Sequence, residues 1–160
     1  MPHDGNGAPR PAETGFSFEY KFKADFRYVR RSVQTTCDAM HEFGLVPDDI
    51  GAVEIVLAEI LNNIVEHGYE EGTDEQIELF VKSRGASLMF DIRDRGRPMP
   101  KGRLPVGNHP MSEFNQFDAM PEGGYGWFLI RELVRDIVYD RKDGQNMLMI
   151  RMKLTEPDAD

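Results

Sequence analysis

Three polar side chains stand four residues apart in the stretch over residues 53–69: Glu59, Asn63 and His67. Residues at this spacing lie along one stripe of a helix, so a carboxylate, a carboxamide and an imidazole would be lined up on its surface. Such a row can take part in a reaction, or it can consist of ordinary solvated residues that precede a His-Gly helix end. Taken alone, the spacing favours the second interpretation.

Two glycine-containing motifs add further candidate groups. Gly123-Gly124-x-Gly126 precedes an apolar helical stretch, where unhindered backbone N–H groups at an electropositive helix N-terminus could cradle a phosphate. Asp94-x-Gly96 follows a predicted strand and offers a carboxylate acceptor beside a backbone that can pack closely on a flat ring. Each motif also has an ordinary interpretation, a hinge for the first and a strand-to-loop turn for the second.

Hydrophobic periodicity predicts the helices that must hold these groups. Apolar residues recur at three- and four-residue steps over residues 53–64, which predicts a central helix that starts near Pro47 and ends at Gly68. The same period predicts an earlier helix that Asp25 caps and Gly44 stops, and a later one that follows Gly126. Glu59 and Asn63 therefore lie on the central helix.

Strict alternation of apolar and polar residues predicts five strands. They cover residues 16–22, 77–81, 88–92, 137–139 and 147–154. We expect the second and third to form a hairpin across Arg84-Gly85, and the last two to form one across Asp143-Gly144. Residues 98–122 show no sustained period, and because a loop this long in a compact domain is usually functional, we interpret it as a lid.

Composition limits the classes of protein to which the chain can belong. The 160 residues, 40% of them hydrophobic, predict one domain over residues 16–154, with disordered tails at residues 1–15 and 155–160. A net charge of -9 leaves no basic patch for nucleic acid. The sequence has neither a membrane-length apolar run nor a signal peptide, which predicts a cytoplasmic protein without a membrane partner. Cys37, the single cysteine, is predicted to be a core residue.

In chain order these pieces resemble the ATP-binding superfamily of gyrase, Hsp90, histidine kinases and MutL, the GHKL superfamily. Within it the chain is most similar to the stand-alone anti-sigma factor serine/threonine kinases (RsbW-like) of sporulation and stress response. The most specific stretches are LAEILNNIVEHGY and GGYGWFLIRELVRDIVYD, and the resemblance covers residues 16–154. It implies an α/β fold, a two-layer sandwich of the Bergerat type with a mixed sheet and helices on one face.

The resemblance also assigns roles to the candidate residues. Glu59 would take the family's catalytic position, where it orients or deprotonates the attacking hydroxyl. Asn63 would ligate Mg²⁺, a hard cation that binds through few protein oxygens. Asp94 would accept the adenine amino group, and Gly96 would let the base pack against backbone. The phosphates of ATP would lie in a cradle formed by Gly123, Gly124 and Gly126.

Two positions depart from the pattern of the family. Pro98 replaces the second glycine of the Asp-x-Gly-x-Gly motif and would stiffen the start of the lid. Met149 is interpreted as the replacement for a threonine that is often found in the adenine pocket.

The resemblance predicts an ATP- and Mg²⁺-dependent protein serine/threonine kinase and anti-sigma factor of a bacterial partner-switching pathway. Its partners would be an anti-sigma-factor antagonist of the STAS type and a sigma factor, and it would form a homodimer. The alternative is a non-catalytic interaction module that uses nucleotide only to set its shape. A detached histidine-kinase ATP domain is a third interpretation, but the chain has no room for the dimerisation helices that such a kinase needs.

Overall fold

The computed structural model of the chain describes residues 15–105 and 125–156. Within these ranges the chain forms one five-stranded sheet and three α-helices, with a short 3-10 turn at Pro100–Gly102. The strands are β1 (Ser17–Lys23), β2 (Gln76–Arg84), β3 (Ser87–Asp94), β4 (Asp136–Lys142) and β5 (Gln145–Lys153). The helices are α1 (Phe26–Phe43), α2 (Pro47–Gly68) and α3 (Tyr125–Leu133). The predicted α/β sandwich is confirmed.

The helix ends follow from local chemistry. Asp25 caps α1, since its side chain accepts the N–H of Arg27 at 2.8 Å and satisfies a donor that the helix cannot. Gly44 ends this helix in the left-handed region, with φ of 95°, and its N–H returns to the carbonyls of Met40 and His41. Pro47 stands in the first turn of α2, where a missing N–H costs nothing. These predicted ends are confirmed.

The sheet has the strand order β1-β2-β3-β5-β4, and every neighbouring pair in it is antiparallel. The predicted mixed sheet is therefore wrong for the described residues. The connection through α3 does carry the chain from β3 to a parallel strand, β4, but β5 folds back between them. Asp143 and Gly144, with φ of 52° and 75°, make the tight turn that places β5 there.

One face of the sheet carries the core. The side chains that point to the helices are buried, and they come from the three central strands: Ile77, Leu79, Val81, Leu88, Phe90, Ile92, Leu148, Ile150 and Met152. Residues on the opposite face remain partly exposed, as expected for an antiparallel sheet covered on one side. Cys37 lies in the same core, and burial raises the pKa of its thiol to about 11. The thiol is therefore protonated, as expected of a core residue.

Of the predicted disordered tails, residues 1–15 and 155–160, all but Gly15, Thr155 and Glu156 lie outside the described ranges. Thr155 is still attached to the domain, because its N–H and hydroxyl both donate to the carboxylate of Asp49, at 3.0 and 2.7 Å. The attachment thus continues one residue past the predicted boundary. No helix within the described residues is long and apolar enough to cross a bilayer.

Candidate active site

The central helix α2 presents its polar stripe toward the start of α3. Glu59 and Asn63 are half-buried, whereas His67, one turn further on, is exposed. Gly126 lies directly against the first two: a Cβ built on it would collide with Oε2 of Glu59 and stand 3.3 Å from the Glu59 carboxyl carbon. The same point is 3.8 Å from Nδ2 of Asn63. The backbone at Gly126 therefore approaches the carboxylate as closely as a glycine allows.

A cavity of about 240 Å³ opens beside this stripe, between α2, the sheet and the segment that follows β3. Asn63 and Asp94 both line it, so the structure brings together two of the residues that the sequence singled out. Its remaining walls are largely apolar and include Trp127, Met99 and Leu148. An enclosed apolar space with a few polar groups is the usual form of a small-molecule site.

Asp94 is buried at the end of β3, and described residues direct three donors to one of its oxygens. Oδ1 accepts the Tyr69 hydroxyl at 3.1 Å, the Gly96 N–H at 2.8 Å and the Asn146 side-chain amide at 3.0 Å. Three donors satisfy one oxygen of this buried side chain, which would be costly to bury without partners. All three converge on Oδ1, and the described residues direct no hydrogen bond to the other oxygen, Oδ2.

Tyr69 is held protonated in this arrangement. Burial and then the negative charge of Asp94 raise the pKa of its hydroxyl well above the usual range, so the hydroxyl donates to Oδ1. The hydroxyl oxygen of Tyr69 in turn accepts the N–H of Arg95 at 3.0 Å. Tyr69 therefore joins the residue after α2 to the turn after β3.

Gly96 is required by a close approach within the protein itself. A Cβ at this position would stand 2.8 Å from the Gly68 carbonyl oxygen and 2.8 Å from the ring of Tyr69. The sequence interpretation of Gly96 was that it lets a base pack against backbone, which remains a prediction. The structure supplies a second reason for glycine here, because the end of α2 packs on this turn.

Replacing Gly96 by alanine should lower the free energy of unfolding by about 1–3 kcal/mol, the usual cost of overpacking. The carbonyl of Gly68 belongs to the backbone and cannot swing aside as a long side chain would. Urea denaturation measures the change. Gly51→Ala is the matched control, because a Cβ there meets nothing within 4 Å and the residue lies inside α2. That variant should be neutral or stabilised by up to about 1 kcal/mol. An equal response of both variants would contradict the packing argument.

A second polar group, which the sequence analysis missed, ties the turn after β3 to the last two strands. The Asn146 side-chain amide donates to Asp94 Oδ1 at 3.0 Å and to the carbonyls of Gly96 and Arg97 at 3.2 and 3.1 Å. Its own carbonyl oxygen accepts the Tyr139 hydroxyl at 2.6 Å and the Arg141 guanidinium at 2.7 Å. A signal was present, because Asn146 is a polar residue in phase with the buried Leu148 and Ile150.

The expected position of Met149 is wrong. Its side chain is 41% exposed, on the face of β5 opposite to Asn146 and Leu148, which both line the cavity. Successive residues of a strand point to opposite faces, so Met149 cannot share the pocket with Leu148. The polar side chain of β5 that does line the cavity is that of Asn146.

Three parts of the predicted site stay predictions. Gly123 and Gly124 lie outside the described residues, as does most of the predicted lid, from residue 106 to residue 122. Pro98 is described, is exposed and lines the cavity. Of the three glycines predicted to cradle the phosphates, only Gly126 lies within the described residues.

Comparison with known proteins identifies the family of the chain. The family model for the histidine kinase-like ATPase domain matches residues 22–152. The chain belongs to this family. The match includes α2 with Glu59 and Asn63, the strand that ends at Asp94, and Gly126, so all the described candidate residues fall within the ATPase domain.

Curated relatives of this ATPase domain are serine-protein kinases. Those named RsbW from Bacillus thuringiensis (strain Al Hakam) and Bacillus cereus (strain AH820) are each 29% identical over 143 residues, covering 83% of this chain and 82% of theirs. The solved RsbU and RsbW domains of Rv1364c from Mycobacterium tuberculosis superpose with a TM-score of 0.61 at 17% identity. That match covers 89% of this chain and 33% of the solved chain, and it shows the same fold. The predicted resemblance is confirmed.

Proposed function

We propose that this protein is an ATP- and Mg²⁺-dependent protein serine/threonine kinase that acts as an anti-sigma factor on a STAS-type antagonist. The observation that carries the proposal is the approach of Gly126 to Glu59 and Asn63, because Asn63 also lines the cavity together with Asp94. A base-sized pocket and a carboxylate–carboxamide pair thus share one site. The names of the RsbW relatives support the choice of a protein substrate over other phosphate acceptors.

The size of the cavity supports a division of the nucleotide between two regions. At about 240 Å³ it is smaller than a pocket that encloses a whole drug-sized ligand, for which roughly 300–1,000 Å³ is usual. It suits a flat ring system, with Asp94 Oδ2 as the acceptor for an exocyclic amino group. The remainder of ATP would extend past Asn63 toward the start of α3, where the helix N-terminus is electropositive.

Asn63 and Glu59 fit the requirements of a magnesium ion. Mg²⁺ keeps several waters and binds through one or two protein oxygens together with phosphates, so a single carboxamide beside a carboxylate is an adequate protein contribution. Asn63 would hold the ion, which when bound would neutralise charge on the phosphates. The absence of a Cβ at Gly126 leaves the backbone, not a side chain, facing this pair.

We assign to Glu59 the role of acting on the protein substrate. It stands one helical turn before Asn63, so its carboxylate can reach a hydroxyl that lies near the terminal phosphate. There it would orient the hydroxyl and accept its proton as the oxygen attacks. Half-burial next to Gly126 limits the directions in which the side chain can swing, which holds the base in position.

Titration with Mg-ATP tests nucleotide binding, and Asn63→Ala should weaken the Mg²⁺-dependent part of the affinity by roughly tenfold or more, as expected for loss of a contact to a charged ligand. Calorimetry with and without Mg²⁺ gives the measurement. The matched control is Asn62→Ala, which removes the same side chain from an exposed position that lines a different cavity, between α1 and α2. Absence of heat and of thermal stabilisation with millimolar Mg-ATP would contradict the nucleotide assignment.

The partners and assembly belong to the same proposal. We expect the protein to act in the bacterial cytoplasm, to transfer phosphate to the antagonist, to bind a sigma factor and to form a homodimer. Labelled ATP mixed with the antagonist from the neighbouring operon tests the transfer, and light scattering tests the dimer. Tight binding of ATP and partner without phosphate transfer would favour the alternative, a non-catalytic nucleotide-binding interaction module.

A further inference from the structure

Two side chains of the edge strand β4, Tyr139 and Arg141, extend over β5 to the segment that follows β3, and Tyr139 also lines the cavity. Both donate to Oδ1 of Asn146, at 2.6 and 2.7 Å. A primary carboxamide can be turned so that its oxygen and nitrogen exchange places, and only its partners decide which way it lies. With two donors on the oxygen, the NH₂ group of Asn146 must face the opposite side.

On the opposite side, the partners that the described residues provide are all acceptors. The NH₂ group meets Asp94 Oδ1 together with the carbonyls of Gly96 and Arg97, at 3.0 to 3.2 Å. If the amide turned over, its oxygen would face three oxygens and its NH₂ group would face the Arg141 guanidinium, which can only donate. Tyr139 and Arg141 therefore favour, from the oxygen side, the orientation in which Asn146 supplies a hydrogen bond to Asp94, although neither touches Asp94 directly.

The same two side chains also hold the segment over residues 96–99, which forms one wall of the cavity. The Tyr139 hydroxyl accepts the N–H of Met99 at 3.0 Å, and Arg141 donates to the carbonyl of Gly96 at 3.0 Å. The Tyr139 hydroxyl thus donates to Asn146, which contacts Asp94, and accepts from Met99 in the cavity wall. One hydroxyl connects the two parts of the pocket that would hold a base.

We propose that Tyr139 and Arg141 are positioning residues that set base selectivity: by fixing Asn146 and residues 96–99, they hold Asp94 so that Oδ2 presents an acceptor to the base. The inference rests on the proposed ATP-binding function. An acceptor at this point favours a purine with an amino group at C6 and disfavours one with a carbonyl oxygen there. The pocket should then prefer ATP to inosine triphosphate, in which a carbonyl oxygen replaces the amino group at C6 and N1 carries a proton.

The test compares the dissociation constants of ATP and inosine triphosphate for the full chain and for Tyr139→Phe. The variant keeps the ring and loses both hydrogen bonds of the hydroxyl. We expect the preference for ATP to fall by roughly three- to tenfold, the effect of one or two buried hydrogen bonds. Arg141→Gln acts on the same amide and should reduce the preference as well.

Tyr20→Phe is the matched control, because Tyr20 is half-buried on β1, at the other edge of the sheet, between Phe18 and Phe22. It should leave the ratio unchanged. If Tyr139 has only a structural role, Tyr139→Phe should weaken the binding of both nucleotides by the same factor, which would overturn the inference. An unchanged ratio of the two dissociation constants in both Tyr139→Phe and Arg141→Gln would overturn it as well.

Amide hydrogen exchange of the free protein separates this inference from the proposed function. Loss of the acceptor in Tyr139→Phe should speed exchange of the Met99 N–H by roughly tenfold, whether or not nucleotide binds. If the wild type binds neither nucleotide, the ATP-binding function fails and the selectivity with it. Unchanged exchange at Met99 would overturn the positioning of residues 96–99 even if ATP binds.

Discussion

Glu59→Gln should reduce phosphate transfer by roughly a hundredfold or more and leave the affinity for ATP nearly unchanged, because the substitution removes a general base and little else. Glutamine has almost the same size as glutamate and keeps one oxygen acceptor, so the packing against Gly126 survives. Asn63 is untouched and can still hold the metal ion. Single-turnover transfer to the antagonist measures the rate, and calorimetry measures the affinity.

Glu54→Gln provides the control for Glu59→Gln. Glu54 lies on the same helix, is exposed and lines a different cavity, so the same change of charge should leave transfer within about twofold. The two variants together distinguish a kinase from a non-catalytic interaction module. A kinase loses transfer in the first variant only, whereas a non-catalytic module shows no transfer in the wild type and no response to Glu59→Gln.

The parts of the fold that depend on local chemistry could be predicted from the sequence. The cap at Asp25, the stop at Gly44 and the turn at Asp143-Gly144 each need only neighbouring residues, and all three are where the sequence placed them. The apolar period of α2 likewise predicts which face of that helix is buried. These signals are short-range, so no knowledge of the tertiary structure is needed to find them.

The parts that depend on strand pairing could not be predicted. Asn146 stands opposite Asp94 in the register of β3 and β5, a pairing of residues that lie 52 positions apart. A shift by one position turns every side chain of a strand to the other face, which is how Met149 came to be placed in the pocket. The antiparallel order of the sheet was missed for a related reason, because it depends on where β5 inserts.

The candidate site divides in the same way. Glu59 and Asn63 lie four residues apart on a helix, so their proximity follows from the sequence once the helix is predicted. Their approach to Gly126 depends instead on the packing of α3 against α2, two elements far apart in the chain. The resemblance to the ATPase family indicated the glycine motif, and the structure adds which atoms Gly126 meets.

Gly126→Ala should change stability and activity in opposite directions. Alanine at this position near the start of α3 favours the helix, so the free energy of unfolding should stay level or rise by up to about 1 kcal/mol. The new methyl group, however, occupies the place of the Glu59 carboxylate, which is the far end of a flexible side chain and can move away. A displacement of about 1 Å can cost roughly a hundredfold in rate, so phosphate transfer should fall by that order.

Combining the two substitutions shows whether Gly126 acts through Glu59. If the methyl group only displaces the carboxylate, Gly126→Ala should add less than about threefold to the loss already caused by Glu59→Gln, because residues that act as a unit are not additive. Independent effects would multiply, and the double variant would then be slower than either single variant by roughly a hundredfold. That result would place the role of Gly126 in the phosphate cradle alone. Gly51 is a helical glycine at which an added methyl group meets nothing within 4 Å. Gly51→Ala should therefore leave the rate of phosphate transfer unchanged, both alone and in combination with Glu59→Gln.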